Sequence, residues 1–243
     1  MKKVLLFFFA CALLLQTEGF AQKKKSKTKT KTAKERKAVF PAEPRIGLTG
    51  GLSFANLSRT INTEDRDGDY RIGIAGGMML NVPFGKSKRF AFQPAIDYVQ
   101  KGAAESFLTP VNRAYTAIRY AELPLNFVYN LKWGKSVLYF GGGPFIDFDL
   151  PSKKVSKIPG NKIETDLRMG NTVSDDLKGI DFGGNAVIGF RIPMGLFVTL
   201  NYTQGARNLI PDGTLELPGR ANDKTKSIAF GIRVGYLFKA ASK

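Results

Sequence analysis

Eight strand-like runs, joined by connections that alternate long and short, constrain this chain more than any other feature. From Arg45 onward, apolar residues recur at every second position in segments near 45–57, 70–82, 90–104, 117–131, 136–148, 179–191, 196–204 and 227–238. The links between them run long, short, long, short, long, short, long. Tight turns on one side and generous loops on the other are the pattern of a transmembrane β-barrel. A tilted strand needs about nine to eleven residues to cross a bilayer, and most of these segments exceed that. The expected fold is all-β: an eight-stranded antiparallel up-and-down transmembrane β-barrel over 45–238, with short periplasmic turns and long extracellular loops.

The two faces of each run differ in kind. One face carries Ile46, Leu48, Leu52 and Phe54, then Ile72, Ile74, Met78 and Leu80, then Phe90, Phe92, Ile96 and Tyr98. Later runs continue it with Phe140, Ile146, Phe182, Ile188, Leu196, Leu200, Phe230, Ile232 and Tyr236. In the fourth run the odd positions from Leu123 to Leu131 play this part. No charge falls on these positions, although 23% of the chain is charged. Lys or Arg on a lipid face at the bilayer midplane costs roughly 2–4 kcal/mol, which explains the exclusion. A soluble barrel of lipocalin type has the reverse arrangement, with an apolar lumen and a wet exterior.

The opposite faces are polar. Among their charges, Arg71, Lys101, Arg191 and Arg233 are basic, and Asp97, Glu122, Asp147 and Asp181 are acidic. An eight-stranded barrel is just wide enough for its side chains to fill. A lone buried charge is expensive, so these eight residues are expected to form an ion-pair network in a plugged interior. Ion pairing is favoured over a catalytic carboxylate pair at Glu122 with Asp97 or Asp147.

Aromatic residues gather near strand ends in two sets, one with Phe84, Phe90, Tyr129, Trp133 and Phe238, the other with Tyr70, Tyr98, Phe148, Phe182 and Tyr202. Each set is expected at one membrane boundary. The tight connections at 83–89, 132–136 and 192–195 carry Lys86, Lys88, Arg89, Lys132 and Lys135 and no acid, giving a positive periplasmic rim. The long connections are 58–69, 105–116, 149–178 and 205–226. Loops longer than about 15 residues are commonly functional, so 149–178 and 205–226 are the places to look for a partner.

Residues 1–21 have a charged start, an apolar run from Val4 to Leu15 and small residues before Gln22, which reads as a signal peptide. Cys11 is the only cysteine and lies within it, so no disulfide is expected after cleavage. Residues 22–44 form a polybasic segment expected to be disordered and periplasmic, with almost nothing apolar to bury. Residues 22–38 hold nine basic residues against the single acid Glu35, whereas the chain from Val39 carries 26 basic and 18 acidic residues. Such a basic run reads first as a solvated tail; the functional alternative is attachment to anionic lipid head groups or an acidic envelope polymer, and not to nucleic acid.

Catalytic and metal chemistry find little support. The chain has no histidine, which removes the commonest general base and metal ligand. The turn Glu64-Asp65-Arg66-Asp67-Gly68-Asp69 lacks the glycine and glutamate positions of a calcium loop. Gly141-Gly142-Gly143 lacks the Lys-Ser/Thr ending of a phosphate loop. No cofactor is expected, and the chain is read as not an enzyme.

The segment Tyr120-Ala121-Glu122-Leu123-Pro124-Leu125 resembles the Tyr-x-Glu-Ile/Leu-Pro-Leu signature of the PorT-like outer-membrane β-barrel family, frequent in Bacteroidota. Gly47–Ser53, Tyr98–Gly102, Gly141–Phe145 and Gly231–Phe238 resemble further strands of that family, in order. The resemblance implies an outer-membrane location in a Gram-negative bacterium and an eight-stranded barrel. The founding type serves a protein-secretion and gliding apparatus. The polybasic tract and the residues beyond Phe238 depart from the family pattern.

The expected function is that of a non-enzymatic outer-membrane barrel, structural or partner-binding through its outer loops and basic rim. Its partners would be outer-membrane lipids and other envelope proteins. The alternatives are an accessory component of a secretion or gliding machinery, and a small channel.

Overall fold

Alternation with a period of two places one side chain set in lipid and the other in the lumen, and the strands follow it closely. The computed structural model describes residues 43–61, 64–65, 67–104, 113–158 and 160–238. The expected signal peptide, residues 22–42 of the polybasic segment, residues 105–112 and Lys239–Lys243 lie outside the described residues.

Among the described residues, ten strands form one antiparallel sheet. They are β1 (Arg45–Ile61), β2 (Glu64–Asp65), β3 (Asp69–Phe84), β4 (Phe90–Ala104), β5 (Arg113–Trp133), β6 (Ser136–Ile158), β7 (Asn161–Asp166), β8 (Ile180–Arg191), β9 (Leu196–Gly205) and β10 (Lys224–Leu237). Eight of them close the ring in the order β10-β9-β8-β6-β5-β4-β3-β1. Pairing of β1 with β10, from Gly47 opposite Leu237 to Thr60 opposite Lys224, completes it and leaves the barrel without a free edge.

β2 and β7 stand outside the ring, and they correct the expected loops. The 58–69 connection is partly a hairpin, since β1 runs to Ile61 and pairs back with β2. The 149–178 connection holds a second hairpin, because β6 continues to Ile158 and β7 returns along it, Lys153 opposite Asp166 to Ile158 opposite Asn161. Short helix α1 (Asp212–Leu215) occupies part of 205–226. The long strands thus project well past the bilayer.

The tight turns are as short as expected. Between β5 and β6 only Gly134 and Lys135 intervene. Gly134 takes φ +60°, the left-handed value that the first residue of a two-residue hairpin turn of this hand requires and that glycine adopts without a Cβ penalty.

Much of the lipid-facing set is exposed, with Ile72 at 62%, Ile96 at 63% and Leu200 at 53%. Its aromatic members touch near both ends. At the short-turn end, Phe90 lies 5.8 Å from Phe84 and 5.1 Å from Tyr129 between ring centroids. At the other end Phe230 lies 4.9 Å from Tyr202 and 6.2 Å from Tyr70. These are the two aromatic belts of a membrane barrel.

Candidate functional site

The pleat and the register decide which charges share the lumen. Asp97 of β4 stands opposite Glu122 of β5, Glu122 opposite Asp147 of β6, and Asp147 opposite Asp181 of β8. Four carboxylates therefore run side by side around one wall, all buried. Like charges directly opposite on neighbouring strands repel. The row persists because two cations reach it. Lys101 Nζ lies 2.6 Å from Asp147 Oδ2 and 2.8 Å from Glu122 Oε2. Its ammonium also sits 4.4 Å from the centroid of the Phe145 ring. Arg233 crosses the lumen from β10 to pair with Asp97 and to donate to Glu122 Oε1 at 3.5 Å.

The other members of the expected eight-residue set take different partners. Asp181 accepts from the Ser227 hydroxyl at 2.5 Å and from the Phe182 amide at 2.8 Å. Arg191 lies lower in the barrel, donates to Asn130 Oδ1 at 3.4 Å and stands 6.0 Å over the Tyr139 ring. Arg71 leaves the lumen: it donates to the Lys101 carbonyl and to Gln100 Oε1, at 3.2 and 3.4 Å, and lies 5.3 Å from the Tyr115 ring. So five of the eight residues meet in one ion-paired cluster and three do not.

The wall is not uniformly polar, which the sequence reading missed. Two apolar layers bracket the charged one. Toward the short turns, Ala91, Val128, Tyr139, Val187, Phe197 and Leu237 pack into one buried cluster. Toward the long connections, Leu57, Ala103, Ile118 and Tyr120 of the strands pack against Leu177 and Leu209 of the two longest links. The inward apolar positions were visible in the sequence as every second residue near the strand ends. Between these layers lies a cavity of about 50 Å³ bordered by Asp97, Glu122, Asn126, Tyr139, Asn185 and Arg233.

Above the upper layer the two longest connections are tied together. Asn171 Nδ2 donates to Asp212 Oδ2 at 2.8 Å, and the Asp212 amide donates to Asn171 Oδ1 at 2.9 Å. Lys178, nearly buried, reaches Asp212 Oδ1 at 2.5 Å. The Lys178 hydrogen bond first, and that of Asn171 second, hold the Asp212 carboxyl below its ordinary range. The Thr172 hydroxyl and amide do the same for Asp175. The Asn208 side chain accepts from the Thr225 amide at 2.9 Å and donates to the Asp223 carbonyl at 2.9 Å. The result is a pocket of about 360 Å³ bordered by Arg59, Val173, Asp175, Pro211, Leu217 and Arg220, open to the outside.

A family model described as the outer membrane protein beta-barrel domain matches residues 20–210. No curated protein sequence matches the chain. Among solved structures, the chain is similar to Ail, the attachment invasion locus protein of Yersinia pestis, at 12% identity over 81% of this chain and 99% of that one, with a TM-score of 0.42. It is similar also to Neisserial surface protein A, at 10% identity over 79% of this chain and 97% of that one, with a TM-score of 0.41.

Proposed function

The chain belongs to the outer membrane protein beta-barrel domain family and resides in the Gram-negative outer membrane; from that premise we propose that it is a closed, non-enzymatic barrel that binds a partner at its outer end. The observation that carries this reading is the contrast between lumen and mouth. The lumen is filled by two apolar layers and an ion-paired cluster, with about 50 Å³ of space between them. A passage for solutes has no place in such an interior. The mouth, by contrast, is a hydrogen-bonded platform with an open pocket of about 360 Å³. Ordered long connections on a rigid barrel are where binding residues commonly sit.

The finer assignment to the PorT-like barrels rests on Tyr120-Ala121-Glu122-Leu123-Pro124-Leu125. In that signature Tyr120 packs in the upper apolar layer and Glu122 joins the ion-paired cluster. Both parts hold the barrel shut, so the motif supports a sealed scaffold, and service to an envelope machine would come through the loops.

The experiment is chemical cross-linking in intact envelopes, comparing the wild-type chain with Asn171→Ala/Asp212→Ala. The double variant unties the platform and leaves the barrel strands untouched. The expected result is a discrete cross-linked partner that is lost from the variant while the heat-resistant barrel band on gels remains. An unchanged cross-link in the variant overturns the platform reading.

A further inference from the structure

Immediately above the apolar band, Arg119 of β5 and the guanidinium of Arg71 of β3 meet at Gln100 of β4. On β5 the outward positions are uncharged from Leu131 to Ala121. At about 3.4 Å per residue and a tilt of roughly 40°, that length rises roughly 25 Å, the height of a barrel's apolar band. The next outward position is Arg119, in register with Gln100 of β4 and Leu150 of β6. Arg71 of β3 joins it through Gln100, which itself donates to the Tyr98 hydroxyl at 3.0 Å. Arg119 donates to the Pro151 carbonyl at 2.7 Å.

Among the described residues neither arginine pairs with a carboxylate; each is held by carbonyl, amide or ring groups. The two guanidinium groups are close enough to act on each other as like charges. Lys153 and Lys162 nearby are both taken by Glu164, so they do not compete for an incoming anion. Two half-buried guanidinium groups with no acid between them are completed by an oxyanion that both can fork.

A second feature on the same strands says which oxyanion. Below the arginines an apolar groove of about 420 Å³ runs along the outside between Met78 and Leu80 of β3, Pro94 and Ile96 of β4, and Leu123 and Leu125 of β5. Its cause is local. The β4–β5 ladder passes from Pro94 opposite Leu125 directly to Asp97 opposite Glu122. Pro94 and Pro124 have no N–H to donate, so the strands part between these pairs. A cation pair at the head-group level above an apolar furrow matches a lipid with an anionic head.

We propose that this face holds one phosphorylated lipid of the outer leaflet, its phosphate between Arg71 and Arg119 and an acyl chain along the furrow. The long connections mark this end of the barrel as the outer one, so the ligand belongs to the leaflet that carries phosphorylated glycolipid.

The test folds the full chain in a zwitterionic detergent and offers three probes: bisphosphorylated lipid A, dephosphorylated lipid A, and inorganic phosphate as competitor. Native mass spectrometry reads the fraction of barrel that carries lipid. The expected result is retention of the phosphorylated lipid alone, undisturbed by inorganic phosphate. Arg119→Gln lowers retention about fivefold, and Arg71→Gln/Arg119→Gln lowers it by about the same factor again. Because removing both arginines can disturb the strands, Gln100→Glu supplies an independent reading. It keeps both cations and sets a carboxylate against Arg71, and it is expected to lower retention as the loss of one arginine does. Equal retention by wild type and Gln100→Glu overturns the proposal, as does equal retention of the dephosphorylated lipid. Displacement by inorganic phosphate alone overturns the lipid source.

Discussion

Glu122 and Asp147 face each other in register on neighbouring strands, both buried, and the ammonium of Lys101 lies within 2.8 Å of each. Two like charges in that position repel, and the lysine is what makes the pair tolerable. Removing one partner from a buried ion pair costs about 3–5 kcal/mol, because the other charge stays behind unpaired. Lys101→Met is therefore expected to lower the temperature at which the barrel band unfolds on gels, with a loss of that order. Adding Asp147→Asn to Lys101→Met is expected to restore much of it, since Glu122 keeps Arg233. A double variant no more stable than Lys101→Met alone would show that the acids do not depend on the lysine.

The lipid face carries a complementary expectation. Leu200 is 53% exposed at the middle of β9, flanked in register by Ile188 and Ile232. Leu200→Arg is expected to cost roughly 2–4 kcal/mol in a bilayer. The loss should be much smaller in detergent micelles, where the guanidinium reaches water. Equal losses in the two media would mean that this side of the sheet does not meet hydrocarbon.

What the sequence made legible was set by periodicity. Strand order, the long and short links, the lipid face and the belts all follow from a period of two, and the chain states it plainly. The partners of the inward charges did not follow. Asp97, Glu122, Asp147 and Asp181 were visible as inward acids, but that they stand in one register row requires knowing how each strand is offset from the next. Arg71 sits on the polar phase of β3, yet the β3–β4 register shifts between Tyr70 and Ala75, and its guanidinium goes to Gln100 instead of the lumen. The apolar layers around Phe197 and Tyr120 were overlooked because inward residues were read for their charges. The hairpin of β6 and β7 is hidden in a stretch whose Lys and Ser residues read equally well as a solvated loop.

Those apolar layers bear on conductance. Any path through the lumen must pass Leu57, Ile118 and Tyr120 above and Val128, Phe197 and Leu237 below. In planar bilayers the wild-type chain is expected to give no unitary current steps. Leu177→Ser/Leu209→Ser loosens the upper layer alone and is expected to stay silent as well, because the lower layer is intact. Phe197→Ala added to it removes a large aromatic side chain of the lower layer. Ion flicker in that triple variant only is the expected outcome. Discrete steps from the wild type would place a pore where the side chains leave about 50 Å³.

Acid should open the platform before it opens the barrel. Asp212 has its carboxyl held below the ordinary range by Lys178 first and Asn171 next, and Glu164 is held down to about 2 by hydrogen bonds from Lys153 and Lys162. For a carboxyl with a depressed folded value, the stabilisation is complete above the unfolded value of about 4. It is then lost as pH falls through the folded value. The Asp212 ties between the outer connections therefore weaken as pH falls below about 4, and the Glu164 pairs within the β6–β7 hairpin weaken from about 4 down to about 2. Both carboxyls lie at the solvent-facing mouth, so the effect is local and screened by salt. Hydrogen exchange read at stepped pH is expected to show amides of 168–178 and 209–223 losing protection as pH falls below about 4 while the strand amides hold theirs. Asp212→Asn is expected to show the same opening of these connections already at neutral pH. Protection that falls in strands and connections together would mean that the platform and the barrel unfold as one unit.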